Sequence, residues 1–269
     1  MPKKLIPVIM VAVLLTTGLT AAGCPPPGIN IAGSASVQPV SERLAKAYME
    51  KHPGVTIHVG GGGSSLGIKT VADGIIDIGN SSRELMASEI ENWPELITHL
   101  LCRDGIMVIV HPNQKVANLT TEQIRGIYAG EITDWAQVGG APGAIAVISR
   151  EAGSGTRAVF EKMIMGEKKI TLGAIFHLSA GMVRTAVAET PLGIGYISYP
   201  YLDPSTKALA IDGVAPTMEN LKAGTYPLVR PLYKLTMGEP TGLVKDFLDF
   251  ALSPEGQEIV EQEGFIPIK

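Results

Sequence analysis

Four stretches of this chain bring glycine and serine together where an apolar segment hands over to a helical one. They are Gly33-Ser34-Ala35-Ser36, Gly60-Gly61-Gly62-Gly63-Ser64-Ser65, Gly79-Asn80-Ser81-Ser82 and Gly153-Ser154-Gly155-Thr156. One serine before a helix is an ordinary cap. Four such junctions in one chain suggest a shared purpose. Backbone N–H groups at a helix start lack intrahelical partners, and the helix dipole favours negative charge there. Each hydroxyl adds a donor, and each glycine removes a side chain so that the backbone can come close to a guest. Arg150, just before the last stretch, adds a fixed guanidinium. Together these groups describe a cradle for a small oxyanion.

Other chemistries fit less well. Gly63-Ser64-Ser65-Leu66-Gly67 matches the nucleophile elbow of serine hydrolases, which would make Ser65 the nucleophile. Such an enzyme wants an acid and then a late histidine, yet His52, His58, His99, His111 and His177 all precede the last third of the chain. Gly153-Ser154-Gly155-Thr156-Arg157-Ala158 fits a relaxed dinucleotide fingerprint, but residues 169 to 188 hold no acid to bind a ribose. There is no G-x-x-x-x-G-K-[ST] phosphate loop and no Cys/His cluster at ligand spacing, so neither a cofactor nor a metal is expected.

The elements that must carry the junctions alternate. Strands are expected over 29–33, 55–60, 75–79, 104–112, 145–150 and 191–199, and helices over 39–51, 65–74, 82–93, 120–130 and 155–166. Residues 226–237 read as a long extended segment whose prolines place it at a sheet edge or a crossing point. A helix pair over 241–265 closes the chain, its second piece opened by Pro254. This alternation argues for parallel sheets covered by helices. In an open α/β sheet the strand carboxyl ends share one edge, so the four junctions can face one crevice.

Composition is that of a globular protein, 45% apolar and 18% charged over 269 residues. With a net charge of −4, 5% aromatics and no long basic run, a nucleic-acid partner is not expected. The N-terminal segment up to Cys24 stands apart: a basic start at Lys3-Lys4, an apolar run over Leu5–Thr17, then Ala21-Ala22-Gly23-Cys24. That is the layout of an export signal, and its end resembles a lipobox with Cys24 as the lipidated residue. Ala21 stands where the lipobox prefers leucine; a plain membrane anchor is the alternative. Pro25-Pro26-Pro27-Gly28 would be a stiff spacer. Cys102, in an apolar segment, reads as a buried free thiol rather than a partner for Cys24.

The segment AGSASVQPVSERLAKAYMEKHPGVTIHVGGGGSSLGIKTVADGIIDIGNSSREL, followed by ISREAGSGTRAVFE, resembles the phosphate-binding proteins of phosphate-specific ABC transporters. TPLGIGYISY and YPLVRPLYKLT add to the likeness, which spans nearly the whole chain after Gly28. The resemblance implies a type II periplasmic-binding-protein fold: α/β, two lobes, two mixed sheets flanked by helices, and a two-strand hinge near 104–112 and 228–236. Lobe I would be residues 28–108 with 230–269, and lobe II residues 109–229. Carried over by position, Ser36 would bind phosphate by hydroxyl and amide and Val37 by amide, with Ser64 and Ser82 from the second and third junctions. Arg150 would be the cation, with Ser154, Gly155 and Thr156 as a helix-start clamp. Ser82 stands where familiar members carry an aspartate, which puts selectivity over sulfate in question; Glu151 and Glu84 are candidates for the missing acceptor. Ser34 and Glu151 are expected around the site. Arg83 reads as an exposed residue at a helix start, with a second cation as the alternative. Arg157 and Glu161 read as helix-surface or supporting residues. A lipid-anchored monomer outside the cytoplasmic membrane that delivers phosphate to an ABC permease is the implied role. A carrier of tungstate, molybdate or sulfate, or an exported signalling or adhesive module on the same fold, are the alternatives.

Overall fold

The computed structural model describes residues 28–268; the segment expected to be an export signal, Cys24 and the expected proline spacer up to Pro27 lie outside the described residues. Strands and helices follow in the order β1 (Gly28–Gly33), α1 (Gln38–Lys51), β2 (Thr56–Gly62), α2 (Ser64–Ala72), β3 (Ile78–Ser81), α3 (Ala87–Asn92) and β4 (Leu96–Val110). Then come β5 (Asn118–Leu119), α4 (Thr121–Ala129), β6 (Ala146–Arg150), α5 (Gly155–Phe160, continued by a π-helical turn to Met165), β7 (Ile175–His177), α6 (Ala180–Glu189) and β8 (Gly193–Ser198). The chain ends with β9 (Lys207–Ala208), β10 (Ala210–Ile211), α7 (Met218–Lys222), β11 (Val229–Met237), α8 (Gly242–Leu252) and α9 (Pro254–Gln262).

Hydrogen bonding links β2-β1-β3-β11-β4-β8-β6-β7 in that order, with β9 also on β4. β1 pairs in parallel with β2 and β3, and β6 with β7 and β8. The expected parallel pairing therefore holds at both ends of the path. In the middle it does not: β11 and β4 run antiparallel to each other and to their outer neighbours β3 and β8. β4 is the element that belongs to both halves. Its first part pairs with β11 from Leu96↔Met237 to Gly105↔Val229, and its second with β8 from Ile106↔Ser198 onward. Pro231 is compatible with the centre of this path because β3 pairs β11 only at Tyr233–Leu235, leaving one side of the strand at Pro231 without a ladder.

Two apolar clusters flank the crossing. One gathers Ile29, Leu44, Ile57, Cys102, Leu232 and Phe247; the other Ile109, Tyr128, Trp135, Ile148, Phe160 and Tyr196. The second is rich in rings: Phe160 and Tyr196 stack at 4.1 Å, with Tyr128 against Phe160 at 4.6 Å. Such contacts each add roughly 0.5–1.5 kcal/mol beyond area burial. Cys102 is buried and, among the described residues, has no disulfide partner. Among the described residues no helix is long and apolar enough to cross a membrane.

The strand expected over 75–79 lies over Ile78–Ser81, with Ile75 exposed, the strand expected over 104–112 starts earlier, at Leu96, and one expected helix is displaced. The helix expected over 82–93 begins only at Ala87. The Ser81 hydroxyl donates to the Arg83 carbonyl at 2.7 Å and accepts from the Arg83 N–H at 3.3 Å. This local bonding bends the chain away from helical form.

Candidate functional site

Three of the four junctions open helices and the third does not. Ser34 begins the turn that leads into α1: its carbonyl accepts from the Val37 and Gln38 N–H groups, and its hydroxyl from the Ser36 N–H. The Val37 amide is thus engaged within its own turn. Ser64 is the first residue of α2. Ser154 caps α5, its Oγ accepting from the Arg157 N–H at 3.3 Å. Ser82 lies past the end of β3, and its N–H donates to Ser64 Oγ at 3.0 Å.

These junctions converge although they are far apart in sequence. Ser36 Oγ lies 3.0 Å from Thr156 Oγ1, across 120 positions of chain. Ser64 and Ser82 hydroxyls are 3.3 Å apart. The Ser65 N–H donates to the Gly153 carbonyl at 3.2 Å, which brings the starts of α2 and α5 together. Gly155 is where they touch: a β-carbon there would lie 2.2 Å from Ser64 Oγ and 2.5 Å from Ser82 Oγ. On the other side of α2, a β-carbon at Gly67 would lie 2.8 Å from the Gly33 α-carbon and from the Asn80 carbonyl oxygen. Glycine there lets the helix sit on the ends of β1 and β3. Ser36, Ser64, Ser82, Arg150, Ser154 and Thr156 are all buried, none more than 3% exposed.

Arg150 sits at the end of β6, fully enclosed. Its Nε and Nη2 donate to the two oxygens of Glu151 at 2.9 and 3.0 Å, and to the carbonyls of His177 and Leu178. Among the described residues Nη1 has no such partner. Glu151 is thereby committed to Arg150. Arg157 supports the same strand end: Nη1 donates to the Arg150 carbonyl, Nε pairs with Glu161 at 2.9 Å, and its guanidinium lies 5.0 Å over the Phe176 ring. Its half-buried side chain braces Arg150 from behind rather than facing the hydroxyls.

Arg83 departs from its sequence reading. An exposed helix start is expected there, yet Arg83 is 5% exposed, since α3 starts later and the loop folds inward. It binds both oxygens of Glu89 at 2.7 Å and donates to Ser65 Oγ at 3.1 Å. Partial burial opposes ionisation of Glu89, but the Arg83 and Met86 donors hold its carboxyl below the usual range. Glu84 points away from the hydroxyl cluster, to an exposed ion pair with Lys162.

Two charged groups at the heart of the cluster escaped sequence reasoning. Arg230, on β11, donates from Nη1 to Thr156 Oγ1 at 2.8 Å and from Nη2 to Ser36 Oγ at 3.1 Å. Its Nε and Nη2 also hold Asp104 Oδ2, on β4, at 3.0 and 2.7 Å. Burial lowers the affinity of Arg230 for its proton; Asp104 opposes that shift and the nearby Arg150 adds to it. Arg230 thus contacts the hydroxyls directly, while Arg150 acts on Arg230 through its charge. The available signal was a charge inside an apolar run: Asp104 in LLCRDGIMVIV, and Arg230 and Lys234 on one face of YPLVRPLYKL.

Lys234 is also buried, its Nζ donating to Ser41 Oγ at 2.7 Å and Asn80 Oδ1 at 2.9 Å. Burial pulls its proton affinity down to about 7 from the usual 10.5. The unfolded chain therefore holds this proton where the folded one has lost it. Stability from this group is present above the unfolded value and is lost as pH falls towards about 7. The urea midpoint of the wild type should rise between neutral and alkaline pH, and Lys234→Met should show a shallower rise. Equal slopes would mean that Lys234 keeps its proton.

Comparison with known proteins identifies the family. A family model described as a PBP superfamily domain matches residues 20–255. The phosphate-binding protein PstS of Bacillus subtilis is 35% identical over 244 residues, 89% of this chain and 80% of that protein. PstS of Borreliella burgdorferi is 30% identical over 253 residues, covering 90% of each. Among solved structures, a Clostridium perfringens substrate-binding protein assigned to a phosphate ABC transporter, with bound phosphate, is 40% identical with a TM-score of 0.86, covering 90% of this chain and 100% of that one. An ABC-type phosphate transport receptor of Vibrio cholerae is 37% identical with a TM-score of 0.76, covering 88% and 99%. The chain belongs to the PstS family of the PBP superfamily and has its two-lobed α/β fold.

Proposed function

We propose that this protein captures inorganic phosphate between its lobes and delivers it to an ABC importer. The observation that carries this reading is the meeting of the α2 and α5 starts at Gly155, with the Ser36, Ser64, Ser82 and Thr156 hydroxyls around them, the Arg230 guanidinium on Ser36 and Thr156, and the charge of Arg150 near by. The Ser64, Gly155 and Thr156 amides open helices and have no backbone partner among the described residues. Dipoles, hydroxyls and guanidiniums then all favour one small anion. Micromolar binding needs about −8 kcal/mol. Charge-assisted hydrogen bonds contribute roughly 1.5–3 kcal/mol each, so about eight of them, at least about 12 kcal/mol gross, offset dehydration of the anion and lobe closure.

In this reading residues 28–108 with the chain from 230 onward form one lobe and 109–229 the other; the two larger apolar clusters follow that division except that Ile106, Met107, Val108 and Ile266 pack with the second lobe. A ligand that touches Ser36 and Ser64 from one lobe and Thr156 from the other favours the closed form, because only that form completes its contacts. Closed, loaded protein is what a permease would recognise. The leader ending at Cys24 fits export and lipid anchoring of a monomer. Catalysis at Ser65 finds no support, because its hydroxyl is held by Arg83, which cannot accept a proton. Fluorophosphonate labelling should leave Ser65 unmodified.

Titration calorimetry with phosphate, sulfate and tungstate in parallel tests the reading. Phosphate is expected to bind most tightly; a stronger response to another anion would make the protein that anion's carrier. Thr156→Val and Arg150→Ala should each lower phosphate affinity at least about tenfold, or about 1.4 kcal/mol, with cooperative unfolding retained, Arg150→Ala melting lower because Glu151 loses its partner. Unchanged titrations for both would defeat the site assignment.

A further inference from the structure

We propose that the Arg230–Asp104 pair is the positioning unit of the oxyanion site: it turns the Ser36 and Thr156 hydroxyls into donors and couples their meeting to the hinge. This rests on the phosphate reading above.

The pair stands where β4 changes partners. Asp104↔Arg230 is the register match next to the last one between β4 and β11, and from Ile106 onward β4 pairs with β8. Asp104 also accepts from Ser198 Oγ at 2.7 Å and from the Tyr199 N–H at 3.3 Å, at the end of β8. The carboxylate therefore holds the three strands that meet at the crossing, and it fixes the guanidinium on the side facing the cluster.

The guanidinium has donors only. By donating to Ser36 Oγ and Thr156 Oγ1 it fills a lone pair on each oxygen. Neither hydroxyl can give its proton back to Arg230. Those protons can point only at each other or at a third acceptor. An anion with fully available lone pairs satisfies both at once; a ligand bearing its own proton loses one acceptor position. Arg230 thus favours the more highly charged form of a tetrahedral anion. Because one Nη reaches the α1 start and the other the α5 start, both contacts form together only when the lobes meet. The charged and titratable groups around Arg230 are Asp104 and Cys102 on β4 and Arg150 on β6, with Lys234 farther along its own strand.

The test is phosphate affinity against pH across the second ionisation of phosphate, for wild type, Arg230→Lys, and the charge-free pair Arg230→Met with Asp104→Leu. Lysine keeps a cation beside Asp104 but cannot fork to two hydroxyls. Wild-type affinity should climb as phosphate becomes doubly charged. Arg230→Lys should bind at least about fivefold more weakly, with a flatter climb and an unchanged thermal transition. The charge-free pair should fold, bind about tenfold or more weakly, and be equally flat. Lys234 titrates in all three proteins and cancels in the comparison. Wild-type affinity and slope in both variants would overturn the proposal. If wild type does not bind phosphate at all, the phosphate reading fails, and the same series run with the anion that does bind tests the pair by affinity.

Discussion

Replacing Gly155 by alanine should cost at least about a hundredfold in phosphate affinity, about 2.8 kcal/mol, while leaving the fold intact. The added methyl would sit 2.2 Å from Ser64 Oγ and 2.5 Å from Ser82 Oγ, distances that no real β-carbon tolerates. Those hydroxyls are held in turn, Ser64 Oγ by the Ser82 N–H at 3.0 Å, so they have little room to give. Folding is spared for a separate reason. Gly155 is the first residue of α5, its backbone is not in the left-handed region, and alanine there has the higher helix propensity. The clash exists only when the starts of α2 and α5 come together, so the variant should fold and fail to close. Calorimetry and a thermal melt on the same sample decide it. Affinity within about threefold of wild type would show that these helix starts do not need to touch for binding.

The second large effect concerns stability. Asp104→Ala strands the Arg230 guanidinium in a fully buried position, and breaking a buried ion pair from one side costs about 3–5 kcal/mol. The Ser198 hydroxyl and the Tyr199 N–H lose their acceptor as well. For a chain of this size each kcal/mol lowers the transition by roughly 2–4 °C, so a drop of about 10 °C is expected. Adding Arg230→Met to an Asp104→Leu background should recover most of it, since removing both charges leaves nothing unpaired. A single variant as stable as wild type would mean that water reaches Arg230.

The two halves of this result differ in how visible they were. Residues around the first prediction could be read directly. The glycine–serine junctions mark helix starts through local rules, chiefly capping and the backbone freedom of glycine, and those rules need no tertiary contact. Ser64, Ser154, Gly155 and Thr156 accordingly lie where the pattern placed them. Residues around the second prediction could not. Arg230 and Asp104 are 126 positions apart, and each alone resembles a charge that interrupts an apolar strand. Only the pairing of β11 with β4 makes them neighbours. The prolines of β11 suggested an edge as readily as a crossing, because the sequence does not say how far β3 extends along it. Arg83 misled for a similar reason: a side-chain bond from Ser81 to the backbone delayed α3, and the displaced loop turned the arginine inward.

What the amino-acid order determined by itself was therefore local and periodic: alternating strands and helices, where most helices begin, which turns need glycine, and through the run of motifs the family. What only the tertiary structure decided was long-range: which strands cross, how the helix starts meet at Gly155, and which buried cation orients Ser36 and Thr156. Local preferences are set by each residue and its near neighbours. A site assembled from five separate segments depends on register and packing across the whole chain, where a shift of one residue in β11 would turn Arg230 to the other face of the sheet.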